Sequence, residues 1–412
     1  MKLKDLRKLG WQSKAAFFIF PVALLSVVFI FGRSAAAPCS QNIKSSKVTQ
    51  IKTIPPNAKV ESATTKTASS TESILKLSDI ALPPVHNGLA SSSEPQLQKL
   101  AQYEQTAGGS LANGMMVFTN TPVNTSQAQS HASDMLACIK DFAKYGIKPL
   151  VIMEPSTDSG STINFSNYRN GAYDSAIDTF FAYLKNHGVS DSEMGMWVYF
   201  PEANLPEWGP VDTADFAPNV TRTVNIQKKY FPASLSSIML DAESYPTGST
   251  DWGNGSYVSL SPFISAIPKG LLDSFGLQGF PWAPAANDSG DSSYDPSIYL
   301  NGNLAAQAAS QLGLSNIWFN TGTFHAMYTY AKNQTIYMSA SQRQGLLNGV
   351  LNQALSIKNK GFKVEINLFS EDKSAADEAT DWSYKSADDQ TVLKTFSQQL
   401  FGNGIDLWLF DS

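Results

Sequence analysis

Acidic side chains close a series of short apolar runs in this chain: Glu154 in "IMEP", Glu202 in "FPEAN", Asp241 and Glu243 in "LDAES", Glu371 and Asp372 in "FSED", and Asp411 in "LFDS". Polar partners recur with them, namely Asn204, Gln278, Asn320, Asn367 and Ser370. Two carboxyl groups held on either side of a glycosidic bond can cleave it, one protonating the leaving oxygen while the other attacks carbon or activates water. Amides and hydroxyls can hold sugar hydroxyls, and Trp208, Trp252, Trp282, Trp318 and Trp382 can stack on ring faces. Taken singly, each acid has a competing structural reading as a helix cap or ion-pair partner. Five strand ends converging on one face point beyond that reading.

Other chemistries find less support. The four histidines, His86, His131, His187 and His325, lack metal-ligand spacing. There is no Walker-type run, no GxGxxG after a strand and no GxSxG elbow, so no cofactor, phosphate cradle or serine nucleophile is expected.

The elements that must position the acids alternate. Apolar runs begin at "MMVFTN" (115–120) and continue through "KPLVIMEPS", "MGMWVYFPEAN", "SIMLDAESYP", "FGLQGFPW", "NIWFNTGTF", "KVEINLFSED" and "IDLWLFDS", with amphipathic helical stretches between them. One helix precedes the first run (95–105), and the stretch "SQAQSHASDMLACIKDFAKYG" ends on Gly146, a usual stop signal. Strict alternation predicts parallel strands with helical crossovers, and about eight repeats predict a closed (β/α)8 TIM barrel in the α/β class. Within "WVYFPEANLPEW" (197–208), a strand alternation would put Glu202 and Asn204 on one face at the carboxyl end.

The barrel is expected over 94–412, after three other segments. Residues 1–14 are basic (Lys2, Lys4, Arg7, Lys8, Lys14), and 15–32 hold an apolar run that fits a transmembrane anchor or signal segment. Ala35-Ala36-Ala37 offers a cleavage site, but Pro38 directly after it favours an uncleaved anchor. Residues 33–93 are rich in Ser, Thr and Pro and read as a disordered linker. The expectation is a single-pass membrane protein with an extracellular barrel, or a secreted one after cleavage. Export permits Cys39 and Cys138, the two cysteines, to pair, although Cys138 lies in a helical pattern and also reads as a small core residue. A net charge of −5, with 16% charged and 11% aromatic residues, argues against nucleic acid and suits a neutral ring-shaped ligand.

The order "YGIKPLVIMEP", "YRNGAYDSAIDTFFAYLKNHG", "MWVYFPEANLPEW" resembles the family 26 glycoside hydrolases, the β-mannanase group, over roughly residues 94–285. "SFGLQGFPW" is similar to that family's strand ending in Gly-Leu-x-Gly-Tyr. The resemblance implies that Glu202 is the acid/base residue, although Pro201 stands where the family has His. It nominates Glu371, with Trp382 in the following loop, as nucleophile. The family carries its acid/base on strand 4 and its nucleophile on strand 7. Counted from Met115, Glu371 lies on strand 7 while strand 4 bears Asp241 and Glu243, which makes Glu243 a competing acid. Counted from "DIALPP" (79–84), Glu202 moves to strand 4 and Glu371 to strand 8. The implied function is a glycoside hydrolase cleaving a β-linked polysaccharide, of β-mannan or β-glucan type, with retention. Its catalytic candidates are Glu202, Glu371 and Glu243, and its substrate-binding candidates are Glu154, Asn204, Trp208, Asp241, Gln278, Trp282, Asn320 and Trp382. The alternatives are a non-catalytic carbohydrate-binding barrel, or a polysaccharide lyase or transglycosylase acting on cell-surface glycan.

Overall fold

The structure is a computed structural model that describes residues 97, 100–105, 108–158, 161–204, 213–242, 260–281, 300–329, 334–373 and 380–410. The anchor, the linker and the "DIALPP" segment lie outside the described residues, as do Trp208, Glu243, Trp252, Trp282 and Asp411. Among the described residues, no helix is long and apolar enough to cross a membrane.

Eight parallel strands close into a barrel: β1 (Gly114–Asn120), β2 (Lys148–Glu154), β3 (Met196–Tyr199), β4 (Leu235–Asp241), β5 (Ser274–Gln278), β6 (Asn316–Gly322), β9 (Lys363–Phe369) and β12 (Asp406–Phe410). Closure comes from β1, which pairs with β2 along its whole length and with β12 at Gly114↔Trp408 and Met115↔Leu409. The strand count therefore starts at Gly114. That places Glu202 after the third barrel strand, Asp241 at the end of the fourth and Glu371 after the seventh, β9.

The outer layer comprises α1 (Thr125–Lys144), α2 (Phe165–Arg169), α3 (Asp174–Asn186), α4 (Thr213–Tyr230), α5 (Leu260–Ser265), α6 (Gly302–Leu312), α7 (Ala340–Lys358) and α8 (Ala387–Gly402). α1 shows how sequence sets these helices. Asn124 caps its start by accepting from the Gln127 backbone N–H. Ala128, Ala132, Met135, Ile139 and Phe142 then fall at three- and four-residue spacing on the buried face. Each fully buried large apolar side chain on such a face stabilises the fold by roughly 1.5–3 kcal/mol. Cys138 lies on the same face and is engaged in a disulfide.

Inside the barrel a second cluster includes Met116, Leu150, Ile152, Met196, Val198, Met239, Trp318 and Trp408. The Trp318 indole fits because β5 has a glycine beside it: a Cβ on Gly276 would stand 2.4 Å from the Trp318 ring. The indole N–H donates to Ser237 Oγ (2.8 Å) across that gap. Trp318 is thus a packed interior residue and no stacking platform for a sugar.

The loops after β6 and β9 build a separate antiparallel sheet from β7 (Ala326–Thr329), β8 (Gln334–Tyr337), β10 (Asp372–Lys373) and β11 (Thr380–Asp381), in the order β10-β11-β7-β8. Arg343 of α7 clamps these loops. Its Nε and both terminal nitrogens bond Thr323 Oγ1 (3.0 Å), the carbonyls of Thr323 (2.8 Å), Trp382 (3.1 Å) and Ser383 (2.9 Å), and Asp389 Oδ1 (2.8 Å). All five N–H donors of the guanidinium are used, and its plane lies 3.9 Å from the Tyr384 ring centre.

Candidate active site

The carboxyl ends of β4, β5, β6, β9 and β12 carry one continuous row of side chains. Strand register pairs Asp241 with Gln278, Gln278 with Asn320, Asn320 with Asn367, and Asn367 with Trp408. In-register neighbours on parallel strands point the same way about 4.8 Å apart, close enough for their side chains to touch. They do. Gln278 Nε2 donates to Asp241 Oδ2 (3.2 Å), Asn320 Nδ2 to Gln278 Oε1 (2.6 Å), and Asn367 Nδ2 to Asn320 Oδ1 (2.7 Å).

Glu202 joins this row by an unusual route. Strand β3 stops at Tyr199, and Phe200 and Glu202 both adopt left-handed backbone, with φ of 52° and 55°. Every other left-handed residue among those described is glycine. Such a conformation costs a side-chain-bearing residue roughly 1–2 kcal/mol. The tight turn sends Phe200 outward against Tyr168, Phe165 and Phe216. It is closed by the Glu202 N–H donating to the Met239 carbonyl (2.8 Å), and Glu202 Oε1 accepts from Gln278 Nε2.

One amide nitrogen therefore donates to two carboxylates. Two oxygens reached from one nitrogen, the longer contact being 3.2 Å, lie within about 6 Å of each other. Glu202 and Asp241 are both buried and form the one acidic pair that the described hydrogen bonds bring together at the mouth.

Several expectations change. The alternation placing Glu202 and Asn204 on one strand face fails, because the left-handed turn ends the strand before either residue. Asn204 is occupied by backbone instead, accepting from the Asp241 N–H and donating to the Asp241 carbonyl, both at 2.9 Å. It clasps the turn to β4. Gln278 bonds both acids and Asn320 bonds Gln278, so the row's first role is to hold the carboxyl groups in place. Trp382, expected as a stacking platform, is 1% exposed and packs at steep angles against Phe280, Phe324 and Phe369.

The other acids lie elsewhere on the rim. Glu154 is half-buried at the end of β2 and accepts from Ser156 Oγ (3.3 Å), which also donates to Asn120 Oδ1 (2.9 Å). Glu371 is buried, and its carbonyl accepts from the Trp382 N–H (2.8 Å). Asp372 pairs with Lys385 at the surface. Sequence reasoning missed the Glu202–Asp241 pairing, Asn367 as the end of the amide row, and Arg343. The in-register polar residues were the available signal for the first two. A lone arginine in a helix gave none for the third. Among the described residues, no group of acids, histidines or cysteines is arranged to hold a metal ion.

No family of known proteins and no curated protein matches the sequence. Among solved structures, the chain is similar to a family 1 β-glucosidase from Thermotoga maritima, with TM-score 0.47 and 10% identity over 76% of this chain and 87% of that one. It is similar also to the β-glycosidase BGL167, with TM-score 0.47 and 13% identity over 75% of this chain and 88% of that one.

Proposed function

We propose that the protein is a retaining β-glycoside hydrolase acting on a β-linked polysaccharide of the mannan or glucan type, exported and held at the cell membrane by its N-terminal apolar segment. One observation carries this reading: Glu202 and Asp241 share Gln278 Nε2 at the carboxyl ends of neighbouring barrel strands, where barrel enzymes keep their chemistry. A pair held within about 6 Å is closer than the roughly 6.5–9.5 Å that an inverting pair needs to admit water, which favours retention.

In this mechanism Glu202 protonates the leaving oxygen and later takes a proton from water. Asp241 attacks the anomeric carbon and forms the glycosyl-enzyme. Gln278 holds both carboxylates in place, and neighbouring carboxylates so linked do not ionise independently. Glu371, beyond the seventh barrel strand, is the nucleophile that the family 26 resemblance nominates.

Experiment separates the two. The full-length protein is incubated with mannans, β-glucans and peptidoglycan, and then with an activated 2-deoxy-2-fluoro glycoside of whichever sugar is released. Covalent label on Asp241 is the expected result. Label on Glu371 moves the nucleophile to that residue. No released sugar from any substrate rejects the hydrolase reading and leaves a carbohydrate-binding barrel, while unsaturated product ends identify a lyase.

A further inference from the structure

We infer that Gln278, Asn320 and Asn367 form a one-way amide chain that positions the Glu202–Asp241 pair, so that Asn320 controls carboxyl groups it does not touch. The inference rests on the reading of that pair as the working site.

A terminal amide has a donating end and an accepting end, and each link dictates the next. Gln278 turns Nε2 toward Glu202 and Asp241, the orientation that an ionised carboxylate in the pair favours, because the amide oxygen there would face negative charge. Its Oε1 then lies on the far side, where Asn320 Nδ2 donates to it (2.6 Å). That choice turns Asn320 Oδ1 toward Asn367, whose Nδ2 donates to it (2.7 Å). The chain ends on Asn367 Oδ1, a buried oxygen that accepts from no described residue, while Asn367 Nδ2 also stands 3.9 Å from Met116 Sδ.

Turning one amide alone sets oxygen against oxygen or nitrogen against nitrogen at its neighbours, and each buried bond left unmade costs roughly 1–3 kcal/mol. Turning all three restores the internal bonds but puts Gln278 Oε1 against the acids. The orientation of the row and the charge of the pair are therefore linked. An ionised carboxylate in the pair holds the row as it stands. Protonation of both permits its reversal, after which Asn367 presents a donor to the barrel interior in place of an acceptor. Asn320 is the joint, because among the described residues it is the one that donates to Gln278 Oε1.

Other titratable groups lie at the strand ends and lower in the barrel. Glu154 closes β2 and bonds Ser156, Glu371 follows β9, and Glu243 lies outside the described residues. Glu365, lower in the barrel on β9, is paired with Lys363 (2.6 Å), which also approaches Asp406 (3.8 Å).

The test is a carboxyl titration followed by 13C NMR on the full-length protein, with the signals of Glu202 and Asp241 assigned from E202Q and D241N. N320L cuts the chain without adding charge, and N367L removes its last link. Losing a fixed donor to a carboxylate raises the pH at which it ionises. Both midpoints should rise in N320L by about one pH unit, the equivalent of one modest hydrogen bond, and by less in N367L. Wild-type midpoints in both variants overturn the inference. If N320L does not fold, N367L decides alone, and unchanged midpoints there overturn it. The readout needs no substrate: a protein that titrates as expected yet cleaves nothing keeps the amide chain and loses the hydrolase reading, and the converse result does the opposite.

Discussion

Between β3 and β5 the barrel mouth holds two carboxylates around one amide, one carried on a left-handed turn and the other at the end of β4. Over β6 and β9 it is filled instead by Phe280, Phe324, Phe369 and Trp382, fastened from behind by Arg343. Both halves bury charge, but they do so differently. The guanidinium is met by an opposite charge on Asp389 and by carbonyl and hydroxyl oxygens on every side, which makes it a fastening between loops. The two acids lie side by side around one amide donor, and one of them, Glu202, sits on left-handed backbone. Buried charge alone therefore does not mark a working site, whereas two acids sharing one donor beside strained backbone are what the proposed mechanism uses.

Variants that cross the two halves give the largest test of this contrast. E202Q or D241N should lower turnover by about 10²–10⁴-fold, the usual worth of a positioned proton-transfer group, while urea denaturation shows a stability change below about 1 kcal/mol. R343M should do the reverse. It leaves Asp389 buried without its cation partner, costing about 3–5 kcal/mol in unfolding free energy, and it loosens Trp382, which near-ultraviolet circular dichroism reports. Destabilisation by E202Q with none by R343M would erase the distinction.

The smallest effect concerns alkaline pH. Burial raises the hydroxyls of Tyr168, Tyr199 and Tyr384 above the usual tyrosine range. A group held above its unfolded value adds stability that is fully present below about pH 10 and is lost as pH rises toward the folded value. Each of these tyrosines should therefore remove up to about 1.4 kcal/mol of stability per pH unit above pH 10. Comparing urea midpoints at pH 9 and 11, Y384F should flatten the loss. No flattening would detach Tyr384 from the fastening around Arg343.

The barrel itself was legible in the sequence because its strands are buried on both faces and read as apolar runs. All eight runs became barrel strands, and the count from Met115 is the one that closes. The helix Thr213–Tyr230 carries Pro218 within its early turns, a residue that reads as a break in local pattern. The sheet β10-β11-β7-β8 went unseen because its strands are two to four residues long and pair across distant loops. Within the site, the acids and amides were visible as residue types, but their partners depend on register between strands about forty residues apart. Asn204 and Trp382 show the limit most plainly. One was taken up by the backbone of Asp241 and the other by three phenylalanines, and neither fate is written in local pattern.

The turn through Phe200 and Glu202 also bears on how this protein can change. At the other described left-handed positions the chain has taken glycine, the residue that adopts this backbone without strain. At these two it has not. Screening a mutant library for heat resistance alone should drift toward glycine at 202, yielding sturdier molecules that have forgotten their work; screening for turnover should hold the glutamate and let the rest of the barrel drift around it.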